Sequence, residues 1–170
     1  AKPSLVMFTQ VKNLMNNPAV ETVISVISVP DIRWRRRDIK TVQLLAPSMA
    51  KQAALNAGAQ DAWLVEDGQV TEGSSNNAYI VTTDNILVTR QLSTDILHGI
   101  TRAAVLELTR QTDITIEERP FTIKEAQAAK EAFVTSATTF VQPVVRIDDQ
   151  QVGDGKPGPV ALKLRELYIE

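Results

Sequence analysis

The chain has 170 residues, of which 44% are hydrophobic and 22% are charged. That composition supplies enough apolar surface for a sizeable buried core, so we expect one globular domain and not a disordered tail. The formal net charge of -2 gives no general attraction to nucleic acids or to anionic membranes, and neither is predicted as a partner.

Cysteine is absent and histidine occurs once, at His98. These counts exclude a disulfide framework, a thiolate nucleophile and metal sites built from cysteine or from several histidines, so no metal site is predicted. Any cofactor chemistry must be organic. No apolar run approaches the roughly 20 residues of a membrane span, and the N-terminus lacks a signal-peptide pattern, so we expect a cytoplasmic protein.

The first half of the chain predicts a buried strand, a helix and two hairpins. The β-branched run at residues 23–29 is typical of a well-buried strand and stops at Pro30. Residues 41–57 favour a helix that ends near Gly58, in which Pro47 either produces a kink or marks the true first turn. Two hairpins follow, with strands at residues 62–65 and 69–72 and at residues 78–82 and 86–89.

The second half of the chain alternates helices and strands. Thr101 should cap a helix with its side chain, and Thr122 opens a capping box for a helix that reaches about Glu131. A terminal helix should begin near Pro159. Further strands are predicted at residues 114–116, 133–135 and 144–147 and around Val152. Because strands and helices interleave throughout, we expect an α/β, or mixed α+β, core.

Lys40, in the segment Asp38-Ile39-Lys40-Thr41, is the most informative residue of the chain. A lysine that ends a strand can form a Schiff base with an aldehyde cofactor and can then carry a proton to and from the α-carbon of the substrate. Its apolar neighbours predict an amine withdrawn from water and therefore more nucleophilic. Taken alone, Lys40 has a simpler interpretation, an exposed lysine at the start of a helix.

Glu72 lies at the exit of the first hairpin, just before Gly73, Ser74 and Ser75. A carboxylate fixed on a separate turn can hold the pyridine nitrogen of pyridoxal phosphate protonated, so that the ring accepts electrons when the α-proton of the substrate leaves. The simpler alternative is a solvated turn residue. Together, Lys40 and Glu72 point to a pyridoxal-phosphate enzyme.

Two further segments have the composition of a phosphate site. Gly99, Ile100 and Thr101 precede a helix, and the free amides of a helix start bind dianions well. Residues 135–139 follow a strand and would add amides and hydroxyls from a second loop. Each segment has an ordinary alternative, a helix-capping loop in the first case and a β-prone threonine run in the second.

Four arginines surround Trp34 in the run Arg33-Trp34-Arg35-Arg36-Arg37. Such a run suggests nucleic-acid binding, but it is short and stands in an acidic chain, so we favour arginines that pair with carboxylates at a domain or subunit interface. His98 is expected to be a partly buried polar residue or a surface side chain, and no catalytic role is assigned to it.

In these segments the chain resembles the class IV pyridoxal-phosphate aminotransferases, and most closely the D-amino-acid (D-alanine) aminotransferases. The segments that carry the resemblance agree with that family in order and spacing. They are Asp31-Ile32-Arg33-Trp34 with Asp38-Ile39-Lys40, Thr71-Glu72-Gly73-Ser74-Ser75, the run from Leu97 to Arg102, and Phe133-Val134-Thr135-Ser136.

The resemblance implies a role for each matching residue toward pyridoxal 5'-phosphate. Lys40 would be the Schiff-base lysine and Glu72 the partner of the pyridinium nitrogen. The other expected cofactor-binding residues are Ser75 near the cofactor, Leu97 against the ring face, Gly99, Ile100 and Thr101 at the phosphate, and Ser136 and Ala137 in the second phosphate loop. Ala137 departs from the family, which carries threonine there, so only backbone amides serve at that position, and Ser136 or Thr138 would compensate for the missing hydroxyl.

By the same resemblance, residues 23–170 form the larger, C-terminal domain of such an enzyme, residues 1–22 form an interdomain linker, and the smaller N-terminal domain is absent from this chain. The implied activity is transamination between an amino acid, with a D-amino acid such as D-alanine favoured, and a 2-oxo acid, in a homodimer. The alternatives are a branched-chain aminotransferase, an aminodeoxychorismate lyase, or a catalytically incomplete domain.

Overall fold

The computed structural model of the protein describes residues 3–11 and 23–170. Residues 3–11 are exposed and have no regular secondary structure. The helices are α1 (Leu45–Asn56), α2 (Ile100–Arg110), α3 (Ile123–Gln127) and α4 (Pro159–Ile169). The strands are β1 (Ile24–Pro30), β2 (Asp61–Glu66), β3 (Gln69–Gly73), β4 (Asn77–Val81), β5 (Ile86–Thr89), β6 (Thr115–Glu118), β7 (Glu131–Ser136), β8 (Phe140–Ile147) and β9 (Gln150–Gln151).

The strands form one mixed sheet in the order β3-β2-β1-β8-β7-β4-β5-β6, and β9 pairs with β8. Strand β1 runs parallel to both of its neighbours, and β5 runs parallel to β6, whereas the other pairs are antiparallel. A sheet that combines hairpins with parallel crossovers fits the mixed α/β class that the sequence predicts.

Local sequence signals explain most of the elements. Strand β1 ends at Pro30, and both predicted hairpins form as β2 with β3 and β4 with β5. Pro47 lies in the first turn of α1, where its missing N–H has no intrahelical acceptor, so the first-turn alternative holds and no kink is needed. Gly58 follows this helix with φ of 77°, a conformation that glycine adopts without a Cβ penalty.

Two predicted helix boundaries are wrong. Helix α2 begins at Ile100, and the residue at its N-cap is Gly99, which has no side chain to cap it. Thr101 therefore lies inside the helix and does not cap it. Thr122 does cap α3, because its hydroxyl accepts the N–H of Glu125 at 3.1 Å. That helix stops at Gln127, however, and Glu131 instead begins β7.

Three buried clusters cover the sheet. The largest contains Trp63 and Phe121, whose rings meet edge to face 5.9 Å apart. A second contains the stacked rings of Tyr79 and Phe133, together with apolar residues of α2 and α4. The third packs the alanines of α1 against Leu64. The sheet is thus a rigid support for the loops at its ends.

The predicted linker at residues 1–22 lies largely outside the described residues, so its boundary at residue 23 stays a prediction. Among the helices of the described part of the chain, none is long and apolar enough to cross a membrane.

Candidate functional site

One cavity of about 1110 Å³ brings the predicted site residues together. They come from five separate loops or element ends. Lys40 lies between β1 and α1, Glu72 near the end of β3, Ser75 between β3 and β4, Leu97, Gly99, Ile100 and Thr101 at the start of α2, and Ser136 and Ala137 at the β7–β8 turn. The register of the strands explains part of this convergence. Asn77 of β4 pairs with Thr135 of β7, which places the β3–β4 turn beside the β7–β8 turn.

Glu72 is 3% exposed, and both of its carboxylate oxygens accept hydrogen bonds. Arg33 donates to Oε1, while the backbone N–H of Leu97 and the side-chain amide of Asn77 each donate to Oε2 at 3.0 Å. Burial raises the pKa of the Glu72 carboxyl, and the charge and hydrogen bond of Arg33 oppose that rise. The pKa of Glu72 therefore stays above its ordinary value, and the donors around the side chain limit the rise that burial causes.

Glu72 ends a chain of alternating charges that crosses the structure. Arg33 bonds both Glu72 and Asp31, and Arg37 lies 3.5 Å from Asp31 while its two terminal nitrogens donate to Glu66. Burial disfavours ionisation of Asp31, but the hydrogen bond and charge of Arg33 outweigh it and hold the pKa of Asp31 below its ordinary value. The orientation of Arg33 toward Glu72 is thus fixed from behind by a second buried carboxylate.

Asn77 joins the Glu72 side of the cavity to the segment before α2. Its side-chain amide donates to Glu72 and to the carbonyl oxygen of Leu97, both at 3.0 Å. A Cβ added to Gly99 would lie 2.3 Å from the amide oxygen of Asn77, a distance that real side chains do not adopt. Gly99 is therefore required by the close approach of Asn77 and not by its own φ of -64°.

Asp61 fixes the turn that carries Ser75. The buried Asp61 carboxylate accepts hydrogen bonds from the Ser74 hydroxyl and from the Asn76 side-chain amide. These bonds flank Ser75, which is exposed and lines the cavity. The turn is consequently held on both sides of the residue expected near the cofactor.

Two turns on the cavity wall can bind an anion. The N–H groups in the first turn of α2 have no intrahelical acceptor, and Gly99 provides no side chain that could cap them. Across the cavity, the Ser136 hydroxyl accepts the N–H groups of Thr138 and Thr139 at 3.4 and 3.2 Å, so that Ser136 closes its own turn. Ala137 and Thr138 are exposed on that turn and line the cavity.

Lys40 differs from the expectation in two respects. It lies in the loop after Pro30 and not at the end of a strand, and it is exposed in the described structure, not withdrawn from water. The sequence pattern misled because Ile39 and Val42, whose apolar side chains suggest a buried backbone, are themselves 43% and 94% exposed.

Three of the four arginines around Trp34 pair with carboxylates inside the chain. Arg33 and Arg37 do so in the charge chain described above, and Arg36 pairs with Asp38 at 2.9 Å. His98 is exposed on the cavity wall, with Nε2 3.1 Å from the carbonyl oxygen of Ser93.

Sequence reasoning singled out neither Asn77 nor the contact of Arg33 with Glu72. The spacing Asp31-x-Arg33 was the available signal for a local ion pair, because the two side chains bond across one residue. Nothing in the local sequence pointed to Asn77, whose importance comes from two partners that are distant along the chain.

The family model for amino-transferase class IV matches residues 1–147 of this chain. The chain belongs to the class IV aminotransferases. These enzymes depend on pyridoxal phosphate, and the donor set of the cavity fits that group. An amine, a buried carboxylate surrounded by donors, and an uncapped helix start all line the same space.

Curated relatives and solved structures resemble most of this chain. The D-alanine aminotransferase of Bacillus licheniformis is 45% identical over 137 residues, 81% of this chain and 48% of that protein. The D-alanine aminotransferase of Staphylococcus haemolyticus is 40% identical over 154 residues, 89% of this chain and 54% of that protein. The chain spans about half the length of these curated relatives.

Among solved structures, the T.th. branched-chain amino acid aminotransferase complexed with N-(5'-phosphopyridoxyl)-L-glutamate aligns with a TM-score of 0.80 and 31% identity. The alignment covers 89% of this chain and 52% of that one. The mixed α/β fold predicted from the sequence is therefore the fold of the class IV enzymes.

Proposed function

We propose that the protein containing this chain catalyses pyridoxal-phosphate-dependent transamination between an amino acid and a 2-oxo acid, with a D-amino acid such as D-alanine as the favoured donor. The observation that carries the proposal is the buried Glu72 carboxylate, which faces the same cavity as Lys40 and is surrounded by hydrogen-bond donors. The D-amino acid preference rests on the curated relatives, which are named D-alanine aminotransferases.

When bound, pyridoxal phosphate supplies an aldehyde that condenses with amines and a ring that accepts electrons. Lys40 would hold the cofactor covalently and, once released, would act as the base that carries a proton between the α-carbon of the substrate and the cofactor. Glu72 would accept a hydrogen bond from the protonated ring nitrogen and keep that nitrogen charged. Arg33 and Asn77 would hold the Glu72 carboxylate in place for that contact.

The remaining residues would bind and orient the cofactor. The amides of Ile100 and Thr101, with the hydroxyl of Thr101, are suited to a dianionic phosphate because they meet it at a helix N-terminus. The Ser136–Thr138 turn would close the opposite side, with the backbone amide of Ala137 in place of a hydroxyl donor. Leu97 would lie against the ring and Ser75 near it.

A branched-chain aminotransferase is the second candidate, because the T.th. structure with that name has a TM-score of 0.80 to this chain. The same cofactor residues would serve both activities. Offering D-alanine and L-leucine separately to the protein, each with a 2-oxo acid, distinguishes them by which one is consumed.

We also propose that the protein is a cytoplasmic homodimer. A belt of apolar side chains is exposed beside the cavity, and a belt of that kind is typical of a surface covered by another part of a protein or by a second copy. Its members are Ile32, Trp34, Ile39, Val42, Leu44, Leu45, Met49 and Ile100. The sedimentation coefficient of the protein tests whether it is a dimer, and fractionation of the cells that produce it tests the location.

The test of the proposed function is reductive labelling. The protein is incubated with pyridoxal phosphate and borohydride, and modified peptides are identified by mass spectrometry. Modification confined to Lys40 is the expected result, and Lys156, which is exposed elsewhere on the surface, is the internal control. Absence of label at Lys40, or equal labelling of many lysines, would contradict the proposal.

A further inference from the structure

The terminal helix α4 contacts both segments that form the proposed anion site. One guanidinium nitrogen of Arg165, on this helix, donates hydrogen bonds to the carbonyl oxygens of Thr139 and Val141, at 2.9 and 3.0 Å. The same guanidinium lies 5.7 Å from the centre of the Phe140 ring. Arg165 therefore binds the end of the β7–β8 turn through two carbonyls and one aromatic ring.

Phe140 makes this turn dependent on outside support. It has φ of 59°, the left-handed conformation, and it pairs with Ser136 to close the hairpin. Glycine is the residue that most readily adopts this conformation, since a side chain there is strained. The ring of Phe140 packs against Tyr168 of α4 at 5.4 Å between centroids, so α4 compensates for the strain from two sides.

Tyr168 also reaches the other segment. Its hydroxyl lies 3.4 Å from the hydroxyl of Thr101, in the first turn of α2. Behind this contact, Val105 and Leu106 of α2 share a buried cluster with Ala161 and Leu164 of α4. Helix α4 thus contacts the start of α2 through the hydroxyl of Tyr168, and it contacts the β7–β8 turn through Arg165 and the ring of Tyr168.

We propose that Arg165 and Tyr168 are positioning residues for the cofactor phosphate, which hold the start of α2 and the Ser136–Phe140 turn at a fixed separation. The inference rests on the proposed function, because the anion is the phosphate of pyridoxal phosphate. It concerns a part of the chain beyond residue 147, where the match to the family model ends. Arg165 and Tyr168 contact residues of the two segments that would hold the phosphate, and would act on the phosphate through them.

The test compares two probes that differ only in the phosphate group. Dissociation constants for pyridoxal 5'-phosphate and for pyridoxal are measured with the wild-type protein and with Arg165→Ala, Tyr168→Phe and Lys163→Ala. Lys163 is the matched control, because it makes an exposed ion pair with Glu166 on the same helix and touches neither segment. Thermal unfolding of each variant identifies any loss of folded protein.

Arg165→Ala should weaken binding of pyridoxal 5'-phosphate roughly tenfold, as expected for the loss of one or two net hydrogen bonds, while leaving pyridoxal binding unchanged. Tyr168→Phe keeps the ring contact and loses only the long hydroxyl contact, so its effect should be smaller, about two- to threefold. Adding Phe140→Gly to Arg165→Ala should restore part of the affinity, because glycine adopts the left-handed conformation without support. If α4 only stabilised the fold, Arg165→Ala would weaken binding of pyridoxal 5'-phosphate and of pyridoxal by the same factor.

Amide hydrogen exchange of the ligand-free protein tests the same idea without the cofactor. Arg165→Ala should speed exchange of the Thr138 and Thr139 amides, whose acceptor is the Ser136 hydroxyl, and Lys163→Ala should not. Unchanged exchange, or an unchanged ratio of the two dissociation constants, would overturn the positioning role. A wild-type protein that binds no pyridoxal phosphate at Lys40 contradicts the proposed function instead, and the exchange experiment still decides the role of α4.

Discussion

Glu72 and Lys40 line the same cavity in opposite physical surroundings. Glu72 is buried on β3, at one edge of the sheet, accepts hydrogen bonds from three residues, and is connected through Arg33 to a second buried carboxylate. Lys40 is exposed on a loop whose apolar neighbours are also exposed. One wall of the cavity is therefore fixed by contacts within the described residues, and the other presents the amine of Lys40 on an open surface.

This difference shows which part of the site is held by buried contacts of the domain. Moving Glu72 would break buried ion pairs, so its position is as stable as the domain itself. Lys40 lies in the exposed part of its loop, residues 39–44, beyond the arginines that the charge chain holds, and exposed segments of this kind have low local stability. A partner surface over the exposed belt beside Lys40 would complete the second wall, whereas Glu72 needs no such addition.

The largest expected effect is that of Lys40→Ala. Turnover should fall by roughly a thousandfold or more, because the substitution removes both the covalent attachment and the base. Stability should be unchanged, since Lys40 is exposed. Steady-state rates with D-alanine and a 2-oxo acid check this, with Lys156→Ala as a control that should retain full activity. Retained activity in Lys40→Ala would remove the residue from the mechanism.

Glu72→Gln should reduce turnover by about a hundredfold, the typical loss when a preorganised charge is removed from an active site. It should also lower stability, because an amide facing the donors Arg33, Leu97 and Asn77 leaves one of them without an acceptor. Cofactor affinity should change much less than turnover.

Glu66→Gln is the matched control for that substitution. Glu66 belongs to the same charge chain, but it bonds Arg37 at the other end of that chain and does not line the cavity. The turnover of the Glu66→Gln variant should stay close to that of the wild type. Equal losses in the two variants would show that the whole charge chain matters and not the carboxylate at the cavity.

Asp31→Asn should destabilise the domain by roughly 3 kcal/mol, because it leaves the buried Arg33 and Arg37 without their shared anion. Urea unfolding measures the change. The control is Arg36→Ala, which breaks the exposed pair with Asp38 and should change stability far less.

The stability difference between the wild type and Asp31→Asn should depend on pH. Arg33 holds the pKa of Asp31 below its ordinary value of 3.8, despite the opposing effect of burial. A carboxyl group with a lowered folded-state pKa stabilises the protein fully above that ordinary value, and the stabilisation is lost as the pH falls through the folded-state pKa. The difference should therefore be constant from pH 7 to pH 5 and shrink below about pH 4. A constant difference down to pH 3 would argue against an ionised Asp31.

The smallest expected effect is that of Thr122→Ala, which removes the side-chain cap of α3. The free energy of unfolding should decrease by about 1 kcal/mol. Thr122 lies outside the cavity, so cofactor binding should be unaffected. Thermal unfolding and a pyridoxal phosphate titration measure the two quantities, and a loss of cofactor affinity would show that this short helix supports the site.

Elements with strong local signals could be predicted from the sequence. Examples are the β-branched run of β1, the short polar turns of the hairpins and the Thr122 capping box. In each of them the interacting residues are only a few positions apart in the sequence. The two wrong boundaries have long-range causes. Gly99 precedes α2 where Asn77 approaches it closely, and Glu131 pairs in β7 while its carboxylate accepts the first N–H groups of α4.

The sequence by itself determined the chemical groups of the site: the amine of Lys40, the carboxylate of Glu72 and the two turns rich in amides and hydroxyls. Their types and their order along the chain carry the family resemblance, because both are properties of the linear sequence. Only the tertiary structure decided that Glu72 is buried against Arg33, a residue 39 positions away, and that Lys40 is exposed. Burial and ion pairing are set by which strands meet in the sheet, and no local pattern around either residue contains that information.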